Sequence, residues 1–245
     1  MKPVIKIFPD SDAMVSAVAK IWSAGAEQAQ RNNRNFNVVL SGGSTPISIY
    51  NYLISSPYRN SIPWKAVHLF WGDERCVPPD NRESNFLMAK ESLLDGIALP
   101  EENVHRIRGE DDAILEAARY SRHIQEHFCC GPDEIPVFDW ALLGVGEDGH
   151  TASLFPNKDS YIEVTEICAV AAHPETGQKR ISLTLAVFNQ VRRVSFLAKG
   201  SGKSEIVSKI LGSEETAKLY PAGRINPESG CLEWFLDAKA ASGLK

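Results

Sequence analysis

Val137-Phe138-Asp139-Trp140-Ala141-Leu142-Leu143-Gly144-Val145-Gly146-Glu147-Asp148-Gly149-His150-Thr151 is the stretch on which the fold turns. From Val137 to Leu143 it is apolar except for Asp139, too continuous for a strand with one wet face. Such runs belong to strands buried on both faces, as in parallel sheets. The second half then breaks into glycines, so the chain leaves this central strand through a glycine-rich turn that carries a histidine. Residues 144–149 spell G-x-G-x-x-G, the outline of a dinucleotide fingerprint. That reading fails, because the fingerprint needs a sustained helix behind its third glycine and an acidic residue closing the βαβ unit. Here Pro156 stops any helix within about two turns.

Working outward, short β-rich runs alternate with longer helical patterns. Val4–Phe8, Asn37–Leu40, Val67–Trp71, Ile167–Ala171, Ile181–Val187 and Val194–Leu197 read as strands. Helical windows lie at 12–30, 46–55, 84–94, 111–128 and 202–211. This alternation predicts an α/β fold: a three-layer α/β/α sandwich around a Rossmann-like, mostly parallel sheet. No composition break marks a linker in the 245 residues, so one domain over residues 1–245 is expected. Ligands in such folds sit beyond the carboxyl ends of the strands, which directs attention to three loops.

In the first, Leu40-Ser41-Gly42-Gly43-Ser44-Thr45-Pro46, Pro46 suits the first helical position and makes Thr45 the expected N-cap. Two glycines let backbone amides approach a ligand, and a helix N-terminus favours an anion. The same residues also suit an ordinary tight turn with a capped helix. The second, Phe70-Trp71-Gly72-Asp73-Glu74-Arg75-Cys76-Val77-Pro78, puts charge directly after an apolar strand, and Ser84-Asn85 opens the helix that follows. The third delivers His150 beside Asp148. A lone histidine is usually structural; one next to a carboxylate on a glycine-rich loop at this sheet end points to acid–base chemistry. Arg180 opens one strand and Lys203 precedes a helix, each an anion contact or a plain surface charge.

Composition excludes other classes. Net charge is −5 with both signs interspersed, which argues against a nucleic-acid partner. No apolar run could span a bilayer, so no membrane partner is expected. The N-terminus lacks a signal-peptide h-region, and a cytoplasmic protein is the expectation. The five cysteines (Cys76, Cys129, Cys130, Cys168, Cys231) contain no C-x-x-C and read as reduced thiols. G-x-S-x-G, H-E-x-x-H and G-x-x-x-x-G-K-[ST] are all missing. His123 and His127 stand four apart on a helix, but nothing near them in sequence completes a metal set. No metal and no cofactor are expected.

Taken in order, Leu40–Pro46, Asp73–Pro78 with Ser84-Asn85, Gly144–Pro156, the Arg180 strand and the Lys199–Lys203 loop resemble the 6-phosphogluconolactonase family, related to glucosamine-6-phosphate isomerase/deaminase. The resemblance runs from about residue 10 to Trp234-Phe235-Leu236-Asp237. It implies a cofactor-free hydrolase that opens 6-phospho-D-glucono-1,5-lactone to 6-phospho-D-gluconate, the second step of the oxidative pentose phosphate pathway. By that resemblance His150 is the general base, Asp148 orients it and Asp73 lines the sugar site. The Ser41-Gly42-Gly43-Ser44-Thr45 loop, Arg75, Arg180 and Lys203 receive the phosphorylated substrate.

Two alternatives remain. The isomerase group carries a Glu in a His-x-Ala-Phe-Asn-Glu-Pro pattern, whereas Phe155 stands before Pro156 here and cannot move a proton. A non-catalytic sugar-phosphate sensor normally carries a DNA-binding helix-turn-helix, for which this chain has no room or basic segment. A monomer or weak homodimer is expected.

Overall fold

The computed structural model describes residues 2–156 and 164–244. Among the described residues ten strands form two sheets: β1 (Val4–Phe8), β2 (Phe36–Leu40), β3 (Val67–Trp71), β4 (Asp73–Arg75), β5 (Val104–His105), β6 (Trp140–Gly144), β7 (Cys168–Ala172), β8 (Lys179–Leu183), β9 (Arg193–Ala198) and β10 (Cys231–Asp237). Seven of them make one sheet in the order β1-β10-β9-β6-β2-β3-β5, with every pairing parallel. The stretch that decided the reading, β6, is its middle strand.

Helices cover both faces, as burial of β2, β3 and β6 demands. Helix Ser11–Arg31 starts where Asp10 accepts the amide of Ala13 at 2.8 Å, a side-chain cap. Its buried residues Met14, Val15, Val18, Ala19, Trp22, Ala26 and Ala29 recur at helical spacing, and Trp22 packs on Trp140 of β6 at 5.9 Å. On β3 adjacent residues point to opposite layers. Trp71 meets Phe86 of helix Asn85–Ser92, and Phe70 meets Phe128 of helix Ala113–Phe128. The α/β/α sandwich expected from the sequence is present. No helix among the described residues is long and apolar enough to cross a membrane.

Four details correct the sequence reading. β7 and β8 leave the main sheet and form a separate antiparallel sheet with β4, in the order β4-β8-β7. Their burial is partial (Ala172 and Lys179 are exposed), which suits antiparallel strands with one wet side. The run Ile181–Val187 is two elements, because the strand ends at Leu183 and residues Leu185–Phe188 turn helically. Val137–Asp139 precede β6 rather than belong to it: Asp139 instead accepts from the amide of Asn37 at 2.9 Å and from Arg34 at 2.6 Å. β10 escaped the pattern because Glu233 interrupts it. That carboxylate is 4 % exposed and is neutralised by Lys6 at 2.7 Å and Arg193 at 3.3 Å.

Candidate active site

β2, β3, β6 and β9 all end at the same edge of the parallel sheet, and the three loops read from sequence leave from there. At the end of β6 the chain makes a closed turn: the amide of Gly146 donates to the carbonyl of His150 at 2.8 Å, and that of Gly149 to Gly146 at 3.0 Å. Gly149 has φ +83°, and a Cβ on it would meet Tyr220 at 2.4 Å. At Gly146 a Cβ would fall 2.1 Å from Nδ1 of His150. The glycines are therefore required by the position of the histidine, not by a dinucleotide, and no helix follows among the described residues up to Pro156.

Asp148 Oδ1 accepts from the backbone amide of His150 at 3.1 Å and faces its Nδ1 at 2.5 Å. Burial works against the Asp148 carboxylate, yet its pKa lies below the ordinary value because the hydrogen bond and charge of His150 outweigh that penalty. With Nδ1–H donated to Asp148, the lone pair of a neutral His150 resides on Nε2. The histidine side chain is 31 % exposed, so that nitrogen is within reach of solvent and substrate. This is the arrangement of a general base with an orienting carboxylate.

Beyond Gly72 the chain crosses into the small sheet, and β4 pairs antiparallel with β8 so that Arg75 lies opposite Arg180 and Asp73 opposite Ser182. Asp73, 4 % exposed, accepts from Ser153 at 2.7 Å and from Asn85 Nδ2 at 3.3 Å, with Arg180 Nη1 4.0 Å away. Glu74 is buried behind it and collects the amides of Asn85 and Phe86 (both 2.7 Å) and of Arg75 (2.8 Å), with the Ser84 hydroxyl at 3.0 Å. Burial nonetheless pushes its pKa up. Glu74 is thus a latch that holds helix Asn85–Ser92 against β4. Ser84 caps that helix, accepting from the amide of Leu87 at 3.2 Å.

The glycine loop differs from its reading in one respect. The helix begins at Ser44 with Gly43 (φ +107°) as N-cap, and no side chain caps it, so Thr45 lies within the first turn. Glycine at that φ replaces the side-chain cap and leaves the first-turn amides unclaimed by Thr45. At Gly42 a Cβ would strike Asn85 Oδ1 at 2.0 Å, which joins this loop to Asp73 through Asn85. Beside it, Lys199 donates to the Ser44 carbonyl at 3.1 Å and to Ser48 at 2.7 Å, while Asp237 pins the amide of Gly200 at 3.0 Å. Lys203 closes the same loop with its amide on the Gly200 carbonyl at 3.2 Å, and its ammonium makes no hydrogen bond or ion pair among the described residues.

Phe155 joins the two halves of the cleft. Its fully buried ring stands 5.1 Å from that of His150, and the guanidinium of Arg180 lies 5.6 Å from its centroid. Five buried donors have no hydrogen-bond partner among the described residues: the indole nitrogens of Trp22 and Trp71 and, on the loops and strands of this site, Ser41 Oγ, Arg75 Nε and Arg180 Nε. Burial pulls the Arg180 pKa down, only partly offset by Asp73, so this cation gains from a further anion.

The structure brings His150 beside Asp148 and Arg75 opposite Arg180, residues that the sequence had singled out. Sequence reasoning missed Ser153, the bridging contacts of Asn85, the contacts of Lys199 and the Glu74 latch. Ser153 follows the histidine by three residues, and nothing in one sequence separates it from a turn serine. A structural group of histidines also escaped: His68 and His105 lie beside His123 and His127.

An α/β fold that sets an oriented imidazole and two half-buried arginines with unpartnered Nε atoms at one sheet edge suits acid–base chemistry on an anion. The chain matches the family model described as glucosamine-6-phosphate isomerases/6-phosphogluconolactonase over residues 9–234. It is 40 % identical to a 6-phosphogluconolactonase of Aggregatibacter actinomycetemcomitans over 85 % of this chain and 88 % of that protein. With a 6-phosphogluconolactonase of a Nostoc species the identity is 34 % over 100 % and 99 %. The crystal structure of 6-phosphogluconolactonase from Leishmania guyanensis superposes with a TM-score of 0.88 at 27 % identity, covering 100 % of both chains. The chain belongs to the glucosamine-6-phosphate isomerase/6-phosphogluconolactonase family.

Proposed function

We propose that this protein hydrolyses 6-phospho-D-glucono-1,5-lactone to 6-phospho-D-gluconate in the oxidative pentose phosphate pathway, in the cytoplasm and without cofactor or catalytic metal. The observation that carries the reading is Phe155, whose ring touches both His150 and Arg180. A base and an anion-binding cation are held one ring apart, which is what a phosphorylated ester substrate requires.

In this mechanism neutral His150 takes a proton from water through Nε2 as the water oxygen attacks C1 of the lactone. Asp148 holds the ring and stabilises the imidazolium that forms. The carbonyl oxygen becomes an oxyanion, for which loop amides and Arg75 are the donors at hand. The C1–O ring bond then breaks, and imidazolium returns its proton to the departing ring oxygen, which stays on the product as a hydroxyl. Arg180, Lys203 and the Ser41–Thr45 loop take the 6-phosphate, and Asp73, fixed by Ser153 and Asn85, lines the sugar. Holding the remote phosphate positions C1, and that contribution adds to the general-base gain.

The test uses freshly generated lactone, with product removed by its dehydrogenase and the spontaneous rate subtracted. Acceleration over background, with no ammonia released from glucosamine 6-phosphate, supports the proposal. Ammonia at an enzymatic rate with background lactone hydrolysis moves the assignment to the isomerase. Tight sugar-phosphate binding without turnover of either moves it to a sensor.

A further inference from the structure

Four of the six histidines lie outside the cleft. His68 on β3 and His105 on the neighbouring edge strand β5 face helix Ala113–Phe128, which brings His123 and His127 one turn apart. His68 Nδ1 and His105 Nε2 are 3.0 Å apart, and His105 Nδ1 and His123 Nε2 are 2.7 Å apart. The His127 ring centroid is 4.8 Å from those of both His68 and His105. One ligand nitrogen from each of His68, His105 and His127 lies within 4.8 Å of the others. His105 is 6 % exposed, whereas His68 and His127 are half-buried, which leaves a route in from solvent.

We propose that His68, His105 and His127 bind a borderline divalent transition-metal ion such as zinc, with His123 as a positioning residue, in a site separate from the lactone chemistry. The donor set selects the ion class. It is all imidazole, with no thiolate or carboxylate in the group among the described residues, which suits zinc, nickel or copper and not magnesium or calcium.

The protons can be arranged without removing one. His127 Nε2 faces Asn37 Oδ1 at 2.8 Å and donates to it, so the His127 lone pair is on Nδ1. If His105 donates Nδ1–H to His123 Nε2, its own Nε2 carries a lone pair. His68 then needs only the tautomer with hydrogen on Nε2 to turn Nδ1 to the same point. A Zn–N bond of about 2.0–2.1 Å implies about 3.3–3.4 Å between tetrahedral ligands. The His68–His105 pair is already near that spacing, and the widest separation closes by rotating the helix-borne ring. Water or an anion takes the fourth position. The ion would fasten the two-residue edge strand β5 and the helix to β3, the strand that leads into Asp73.

The test uses tag-free protein stripped by dialysis against a chelator, in wild type and in a His150→Ala background that removes the cleft imidazole. Calorimetry with zinc and visible absorption with cobalt(II) report the site. Expected are one saturable equivalent per chain in both backgrounds and a tetrahedral cobalt spectrum. The melting temperature should rise by about 5–10 °C at a hundredfold excess over Kd, and kcat/KM on the lactone should not change between stripped and zinc-loaded enzyme. His68→Gln and His127→Gln each abolish the one-to-one binding, and His123→Gln weakens it about 10- to 100-fold. Zinc protection of His68 and His127 from diethyl pyrocarbonate, mapped by mass spectrometry on wild type, needs no variant to fold. The proposal is overturned by absent saturable binding, by unchanged affinity in both glutamine variants, or by binding that disappears with His150.

Discussion

His150 and His105 each have Nδ1 hydrogen-bonded by a neighbour, and the neighbour decides what each imidazole can do. For His150 it is the carboxylate of Asp148 at 2.5 Å; for His105 it is another imidazole, His123, at 2.7 Å. A carboxylate stabilises the positive charge that a general base acquires. A ring of imidazoles repels it. Burial first, and then the charges of neighbouring histidines, drive the His105 pKa down to about 3 and that of His68 to about 4, with His123 and His127 also lowered. In the proposed mechanism the first group accepts and returns a proton in each turnover. The second keeps its lone pairs for hydrogen bonds or a metal. The two proposed histidine sites thus differ, as acid–base site and ligand site, in the charge of what lies behind them.

The largest expected effect breaks the comparison at the cleft. His150→Ala should lower the catalysed rate by about 10²–10⁴-fold with the fold retained by circular dichroism. His123→Gln should leave kcat/KM where it was, since that ring serves the other cluster. Turnover close to wild type in His150→Ala would remove the general base from the mechanism.

Next come the cations. If Arg180 and Lys203 grip the phosphate as proposed, Arg180→Ala or Lys203→Ala should each remove a charge-assisted contact worth about 1.5–3 kcal/mol, a loss of about 10- to 150-fold in kcat/KM on the phosphorylated lactone. Unphosphorylated gluconolactone should be a poor substrate for wild type and little altered by either change. Equal losses on both substrates would show that these residues act on something other than the phosphate.

The histidine cluster should announce itself in acid. Unfolded histidines take up protons near pH 6.5, whereas folded His105 and His68 do so only near 3 and 4. Between those values the unfolded chain binds more protons, so stability is full above about pH 6.5 and falls as pH drops towards 4. Urea midpoints measured at pH 7.5, 6 and 5 in the presence of a chelator should decline, and less steeply in His68→Gln. A midpoint independent of pH over that range would contradict the neutral cluster.

How much of this was legible depended on whether the signal was local. β6 and its glycine loop could be read because burial on both faces and a turn rich in glycine are written consecutively, and His150 with Asp148 falls inside that window. β10 could not, because Glu233 reads as polar until Lys6 and Arg193 arrive from other strands. β7 and β8 looked like sheet strands because apolarity gives an element but not its partner. The histidine cluster was hidden for the same reason: only His123 and His127 share an element, while His68 and His105 come from two strands paired in register. The Ser153–Asp73–Arg180 contacts likewise join residues far apart in sequence.

The smallest expected effect applies the neighbour rule to two lysines on one loop. Lys199 spends its ammonium on the Ser44 carbonyl and the Ser48 hydroxyl, while Lys203, four residues on, is unpaired among the described residues. An ammonium already bonded to the protein has less to offer a phosphate, which on the proposed reading makes Lys199 a brace and Lys203 the ligand. Lys199→Ala should therefore cost about 0.5–1.5 kcal/mol of stability, the net worth of an ordinary hydrogen bond, and change kcat/KM by less than about tenfold. Any rate loss should come through the Ser44 loop that Lys199 steadies and should appear with both substrates alike. Lys203→Ala should do the reverse, sparing the urea midpoint and penalising only the phosphorylated lactone. If Lys199→Ala instead shows the phosphate-selective loss, the two roles are exchanged, and the loop must release Lys199 from Ser44 when substrate binds.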